Sequence, residues 1–514
     1  MVSASLFMLA RCHSNSIVGV RGTAVDIEVD LARGLPGFSI VGLPGTAVRE
    51  SRERIRAALS NSGFKFPMRR ITVNLAPAEL RKEGTAFDLP IALGVLAAER
   101  VVARERLVRL MVLGELALDG RLRPVRGALA AAMEARRRGF DAILLPRENA
   151  AEAAVAGLKV LSAESLQKAA EMIAGDWDKL AQEEEPVATM AQEQAVGDYA
   201  DVLGLPAVVS AVEVAAAGRH NLLLIGPPGS GKTMLARRLP SILPKLTEDE
   251  ALEVTEIHSV AGTIPAGSAL ISSPPFRAPH NTVSPTALFG GGRPARPGEV
   301  TLAHRGVLFL DEFPELTRSA REGLRAPLCD QQLTVSRYGH NVEFPADFQL
   351  VAAANPCPCG YFGDSERACR CTENTRRKYK NRISGPMADR IDMHVNVKRL
   401  EPEALLSTSP GKTSAQIFDR VASAREKQRK RLAPYRVTVN GRIPIEKLDE
   451  IVPLNKSSKQ LLAEVAQLNG IGPRSIHNVQ RVARTIADLE DSEVVKDEHL
   501  LMAASFRMTD GEAT

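Results

Sequence analysis

The sequence predicts an α/β protein, with a parallel sheet wound by helices in its middle and helices alone after it. Three observations carry this. A short apolar run, Leu222-Leu-Leu-Ile225, enters the segment Gly226-Pro-Pro-Gly-Ser-Gly-Lys232-Thr233, and a helical stretch follows. Two more runs, Val307-Leu-Phe-Leu310 and Gln349-Leu-Val-Ala-Ala353, have the apolar character of strands covered on both faces. From about Glu401 onward no such run occurs and the spacing of apolar residues is helical. Strands alternating with helices imply a parallel sheet.

The 514 residues exceed one ordinary core and are expected to divide into roughly two to four units. Residues 1–175 are expected to form a mixed α/β domain. Val25–Leu31 alternates apolar and acidic residues as a half-buried strand does, and Phe38–Gly42 and Arg70–Leu75 are further strand candidates. Ala47–Ser62 places Val48, Ile55, Ala58 and Leu59 on one helical face, with Gly63 as a stop. Leu89–Ala98, Leu129–Arg138 and Ala150–Ala156 are predicted helices. Residues 176–198 are rich in Asp and Glu and interrupted by Pro186, as an exposed linker or, in the first half, an acidic surface helix. The parallel-sheet domain then spans 199–400 and the helical domain 401–514.

A net charge of +5 and a pI near 8.9 permit a polyanionic partner without requiring one. Aromatic residues are only 4% of the chain, which argues against a broad stacking platform for single-stranded nucleic acid. Six cysteines in so long a chain do not make a disulfide scaffold. No apolar run is long enough to span a bilayer, and Met1–Arg11 lacks the basic start of a signal peptide. The expectation is a cytoplasmic protein without a membrane partner, and Met8 is a candidate start.

The segment Gly226-x-x-x-x-Gly231-Lys232-Thr233 has the P-loop pattern between a strand and a helix. Its residues Gly226, Pro227, Pro228, Gly229, Ser230 and Gly231 would turn backbone N–H groups around phosphate oxygens, and the helix N-terminus adds a favourable dipole. Lys232 would pair with the β- and γ-phosphates of ATP, and Thr233 would ligate Mg²⁺. Asp311 and Glu312 follow an apolar strand, so Asp311 is placed to hold the Mg²⁺ and Glu312 to polarise the attacking water. Asn355 follows the strand ending at Ala354, as a partner of the γ-phosphate or the water, or as a turn residue before Pro356. Pro410-Gly-Lys-Thr413 imitates the end of a P-loop, but Leu406 stands where the first glycine is needed, and the segment is expected to be a plain loop.

The order of Phe276-Arg-Ala-Pro-His-Asn281, Gly290-Gly-Gly292, Arg296-Pro-Gly-Glu299, Leu302–Glu312, Asn355-Pro-Cys-Pro-Cys-Gly360 and Ser384–Asp392 resembles the ComM/YifB family of magnesium-chelatase-like AAA+ ATPases over nearly the whole chain. The resemblance implies an AAA+ core with a C-terminal helical lid, assembled as a hexameric ring with ATP between subunits. It implies that Arg390, in Asp389-Arg-Ile-Asp392, is an arginine finger reaching a neighbour's γ-phosphate. Arg474, in Gly472-Pro-Arg-Ser475, matches the lid arginine that senses nucleotide, with Arg481 as its competitor. The chain departs from the family pattern at Leu205, where relatives usually carry Gln, and at Ser210–Glu213, where they carry basic residues.

The amino-terminal domain is similar to the Lon protease fold. Lys82–Asp88 resembles the Lon segment carrying the catalytic serine, and Gly114–Gly127 the segment leading to its lysine. Ala86 stands at the serine position and Leu129 at the lysine position, so no peptidase activity is expected.

The same family resemblance implies a DNA branch-migration helicase acting in natural transformation; the alternative is a chelatase-type ATPase that remodels a protein partner or assists metal insertion. Leu333–Phe344 is predicted to be a hairpin, facing the ring pore in related AAA+ proteins, with Arg337 and His340 as phosphate contacts or merely solvent-exposed. Two basic stretches, Arg367–Arg382 and Arg420–Arg436, are candidate phosphate tracks or solvated faces. Cys357-x-Cys359 and Cys369-x-Cys371 offer four thiolates suited to Zn²⁺, or four free thiols. Cys12 and Cys329 are expected to be ordinary small apolar residues.

Overall fold

The computed structural model describes residues 8–183, 197–264, 270–292, 295–337, 340–364, 366–399, 411–468, 470 and 472–507. The amino-terminal unit is a seven-stranded mixed sheet. Its order is Gly37–Val41, Arg70–Ala76, Arg21–Ala32, Leu9–Val18, Leu110–Val112, Ala142–Pro146, Lys159–Ala163. In Arg21–Ala32, Val25, Ile27, Val29 and Leu31 are buried while Asp26 is exposed. These four face a core shared with helices Thr46–Asn61 and Asp88–Ala98. The opposite face is covered by helix Ala128–Arg138, with Ala24, Met111 and Ile143 beneath it.

The central strand Leu9–Val18 has no apolar alternation and is not apparent in the sequence. Two of its polar residues are explained by the facing strand, while Ser14 and Asn15 are buried with no side-chain hydrogen-bond partner among the described residues. Arg11 faces Glu28 and His13 faces Asp26 across the antiparallel ladder, and each pair is in ion-pair contact. The stretch read as a linker, or in its first half a surface helix, begins as a helix. Trp177–Glu183 is a helix, and Trp177 is buried against the amino-terminal core with the Arg106 guanidinium 4.7 Å from its ring. The acidic residues 184–196 lie outside the described residues.

The second unit holds a five-stranded, all-parallel sheet in the order Phe276–Arg277, Val307–Leu310, Gln349–Ala354, Leu222–Ile225, Met393–Asn396. The last of these strands lacks a continuous apolar run, reading Met-His-Val-Asn, and the edge strand Phe276–Arg277 is only two residues long, so neither stands out in the sequence. Helices Ser414–Leu432, Ile445–Ile451, Lys456–Leu468, Pro473–Leu489 and Asp497–Ser505 follow, with no strand among the described residues of this part. One apolar core joins these helices to the sheet.

Two buried polar centres fasten this junction. Asp347 receives Arg219 at 2.9 Å, Arg305 at 3.1 Å and Arg442 at 3.0 Å. Burial alone would raise its carboxyl pKa, but these three guanidiniums hold it well below the usual range. Nearby, His220 Nε2 meets Thr485 Oγ1 at 2.8 Å, linking the end of helix Pro206–Gly218 to the last long helix. Gly218 is required there, because a Cβ would lie 2.1 Å from the imidazole.

The amino-terminal unit rests on helix Glu248–Ala261. The N–H of Gly127 donates to Ser259 O at 3.0 Å, and the N–H of Leu129 to Ser259 Oγ at 3.4 Å. Beside this contact, Val20 packs with Ile257, Leu302 and Phe344 at the root of the hairpin Gln332–Arg337/His340–Pro345.

Burial, with Arg481 and Arg442 nearby, pushes the His220 pKa down to about 3 from 6.5. The folded chain therefore keeps His220 neutral where the unfolded chain takes up a proton. Its contribution to stability is complete above the unfolded value and is lost as pH falls toward the folded one, by at most about 1.4 kcal/mol per pH unit. The melting-temperature cost of His220→Gln is expected to shrink as pH is lowered from about 7.5 to about 5, where the unfolded imidazole titrates. A cost independent of pH over that range would contradict this.

Candidate active site

The parallel register brings three strand ends level. Ile225 pairs with Ala354 and with Asn396, and Leu310 pairs with Ala352. The loop after Ile225, the acidic pair after Leu310 and Asn355 after Ala354 therefore open at one carboxyl edge of the sheet, where ligands of open α/β sheets bind.

In the loop, Gly229 and Gly231 have φ of +80° and +90°, a conformation that turns successive N–H groups toward a common centre. A side chain at Gly226 would meet Val397 O at 2.2 Å. Helix Lys232–Arg238 starts directly on this loop. Lys232 is buried, and its Nζ donates to Gly226 O at 2.7 Å, Pro227 O at 2.8 Å and Asn355 Oδ1 at 3.4 Å. Burial lowers its pKa, while Asp311 and Glu312 work in the opposite direction. Ser230 Oγ is buried without a hydrogen-bond partner among the described residues.

Thr233 Oγ1 donates to Asp311 Oδ2 at 2.8 Å, so two oxygens of the kind Mg²⁺ prefers already touch. The other Asp311 oxygen accepts the N–H of Glu312 at 2.9 Å. Glu312 has φ +47°, a left-handed conformation that costs a non-glycine residue backbone strain. Its carboxylate accepts a hydrogen bond from the side-chain amide of Asn281. The sequence offered Asn281 only as part of a motif; its position beside Glu312 depends on the loop after the edge strand. The inward-turned amides, an ammonium bonded to neutral oxygens, the Thr233–Asp311 pair and the orphan Ser230 hydroxyl suit a magnesium triphosphate.

Arg390 lies elsewhere. Its Nε donates to Arg325 O at 3.1 Å and to Cys329 Sγ at 3.0 Å, and its Nη1 to Pro386 O at 2.6 Å. Arg474 is exposed and donates to the same Cys329 sulfur at 3.1 Å. Both line a cavity of about 230 Å³ to which no residue of 226–233 contributes. Arg481 borders this cavity too, but donates to Ile443 O and Asn478 Oδ1 inside the helical unit. Cys329 corrects the expectation of a small apolar residue, since it is exposed and lies between two guanidiniums. Cys12 is buried as expected, its thiol donating to Pro90 O.

The four thiols of Cys357, Cys359, Cys369 and Cys371 lie within 4.8 Å of one another. The hairpin forms, but the side chains of Arg337 and His340 lie outside the described residues, as do Tyr338 and Gly339. In the basic stretch 420–436, Arg420 pairs with Glu213, Arg425 donates to Ala216 O, Lys427 pairs with Asp491 and Arg431 with Asp488. Arg429 and Lys430 meet Glu426 on their own helix and stay exposed, as does Arg436. In the other stretch, Arg370, Arg377, Lys378 and Lys380 are exposed on or beside helix Glu373–Lys380.

Of the P-loop imitation, 411–413 has no regular structure, while Leu406 and Pro410 lie outside the described residues. Lys412 pairs with buried Glu213, and Thr413 caps helix Ser414–Leu432. Leu205 is buried near Gly231. Ala86 packs against the apolar cluster that contains Leu129.

Three family models match the chain: "Subunit ChlI of Mg-chelatase" over residues 27–149, "Magnesium chelatase, subunit ChlI" over 198–405 and "Magnesium chelatase, subunit ChlI C-terminal" over 411–507. The chain is 40% identical over 506 residues to the protein YifB of Escherichia coli K12, covering 98% of this chain and 97% of that one. It is 39% identical over 509 residues to competence protein ComM of Haemophilus influenzae, covering 97% of each. A partial similarity, 28% identity over 139 residues, relates 25% of this chain to 16% of the Lon protease of Chloroflexus aurantiacus.

Proposed function

The chain belongs to the ComM/YifB family of magnesium-chelatase-like AAA+ ATPases, and from that premise we propose that it is an ATP-driven motor acting on branched DNA in the cytoplasm as a hexameric ring. The observation that carries the ATPase reading is the convergence of Lys232, Thr233, Asp311 and Glu312 at one sheet edge.

In this reading the N–H groups around Gly229–Lys232 and the N-terminus of helix Lys232–Arg238 hold the phosphates. Lys232 exchanges the Gly226 and Pro227 carbonyls for phosphate oxygens. Thr233 and Asp311 hold Mg²⁺, which when bound neutralises charge on the β- and γ-phosphates. Glu312, kept in place by Asn281, polarises the attacking water, and Asn355 orients it. Arg390 and Arg474 sit together on a separate cavity, which fits a role in completing a neighbour's pocket rather than their own. A site divided in this way needs a head-to-tail contact between neighbouring chains, which a ring supplies.

The DNA part rests on the family and on the name competence protein borne by one relative. The exposed cations Arg370, Arg377, Lys378 and Lys380 support it as phosphate contacts. ATP hydrolysis by the full chain is expected to be stimulated by a mobile four-way junction at low salt, with strand displacement, and the stimulation should fall steeply as salt rises. Arg390→Ala and Lys232→Ala chains should each be inactive alone, and mixing them should restore part of the activity, because Arg390 of one serves the intact P-loop of the other. Absence of DNA stimulation would contradict the DNA reading, and absence of recovery on mixing would contradict the shared site.

The amino-terminal unit is proposed to be a Lon-like fold without peptidase activity, since Ala86 and Leu129 supply neither nucleophile nor base. Casein incubated with the chain and ATP should remain intact; cleavage that persists in protein free of contaminating protease would contradict this.

A further inference from the structure

Between the strand Gln349–Ala354 and the helix Glu373–Lys380 the described chain has neither helix nor strand, and only Cys357 and Gly360 in it are buried. Phe362 is exposed. Apolar burial cannot hold a loop of this length in one shape, and small units of that kind are usually fixed by a cross-link or a metal. The four cysteines are free thiols, not disulfides. Their sulfurs nevertheless converge from both ends of the loop. Cys357 Sγ lies 3.3 Å from Cys359 Sγ and 3.6 Å from Cys369 Sγ, and Cys359 Sγ lies 3.6 Å from Cys369 Sγ. A tetrahedral ion with Zn–S bonds of about 2.3 Å places its sulfurs about 3.8 Å apart. A polynuclear iron–sulfur cluster separates its cysteines further, because several irons and sulfides lie between them.

We propose that Cys357, Cys359, Cys369 and Cys371 bind one structural Zn²⁺, and that this ion holds the loop against the nucleotide site. The second half follows from two contacts. The N–H of Gly360 donates to Cys357 O at 2.9 Å, and Gly360, at φ +87°, sits so near the P-loop that a Cβ would be 2.7 Å from Pro228 Cδ. Asn355, two residues before the first ligand, accepts from Lys232. Metal binding therefore sets the position of Asn355 and of the wall behind Pro228. This half rests on the ATPase reading above; the metal site itself does not.

Full-length protein produced with both zinc and iron in the medium and purified without chelator is expected to contain about one zinc per chain and no stoichiometric iron. Replacement by Co²⁺ should give the visible absorption of a tetrahedral thiolate site. Cys369→Ser and Cys371→Ser should lose the zinc, whereas Cys12→Ser, Cys329→Ser and Lys232→Ala should retain it. Gly360→Ala should keep the zinc but weaken binding of an ATP analogue by roughly tenfold, the size of one lost charge-assisted hydrogen bond. Folded parent protein without zinc, iron in its place, or zinc retained in both cysteine variants would overturn the site. Zinc present with unchanged nucleotide binding in Gly360→Ala would overturn only its link to the P-loop. If the cysteine variants fail to fold, the Co²⁺ spectrum of the parent still decides the ligand set.

Discussion

Parallel pairing of Leu222–Ile225 between Gln349–Ala354 and Met393–Asn396 is the constraint from which the rest of this molecule follows. All of Leu222, Leu223, Leu224 and the residues Gln349–Ala354 are buried, so a register shift would expose polar backbone and displace a fully covered apolar layer. The register fixes where each strand stops, and each stop delivers one part of the site: the glycine loop, the acidic pair and Asn355. The chemistry is thus set by main-chain geometry before any side chain is chosen. The strain at Glu312 and the burial of Lys232 are tolerated because the sheet beneath them is over-determined.

Besides the apolar core shared with the C-terminal helices, polar contacts fasten the other units to this sheet. Asp347 stands just before the strand Gln349–Ala354 and gathers arginines from helix Pro206–Gly218, from the turn before Val307–Leu310 and from the helical unit. His220 ties the same helix end to Thr485. On the other side, Ser259 accepts the N–H of Gly127 and, through its hydroxyl, that of Leu129 at the start of helix Ala128–Arg138. Leu129, proposed to stand at the lysine position of a protease, is therefore next to the contact between the amino-terminal unit and the ATPase unit. The root of the hairpin is packed against Val20 of that same unit. A movement of the hairpin would be felt there directly.

Much of the site could be read from the sequence because P-loop chemistry is local. Gly226–Thr233 and Asp311-Glu312 declare themselves by residue type next to an apolar run. Asn281 did not, because its amide reaches Glu312 through the path of a long loop. The strand Leu9–Val18 was hidden for a related reason: Arg11 and His13 find Glu28 and Asp26 across the sheet, not along the chain. In the basic stretch 420–436, sequence cannot reveal that Glu213, Asp488 and Asp491 wait opposite Arg420, Arg431 and Lys427. Cys329 looked inert for the same reason, as nothing nearby in the chain announces Arg390 and Arg474. What depends on one segment was readable; what depends on two distant segments was not.

A single carboxylate, Glu312, is proposed to separate holding ATP from splitting it. Steady-state ATP hydrolysis and binding of a fluorescent ATP analogue, measured side by side in the parent, Glu312→Gln and Lys232→Ala chains, decide this. Glu312→Gln is expected to bind the analogue as the parent does and to lose turnover by about a hundredfold or more, while Lys232→Ala is expected to lose binding. Hydrolysis by Glu312→Gln at the parent rate would contradict it.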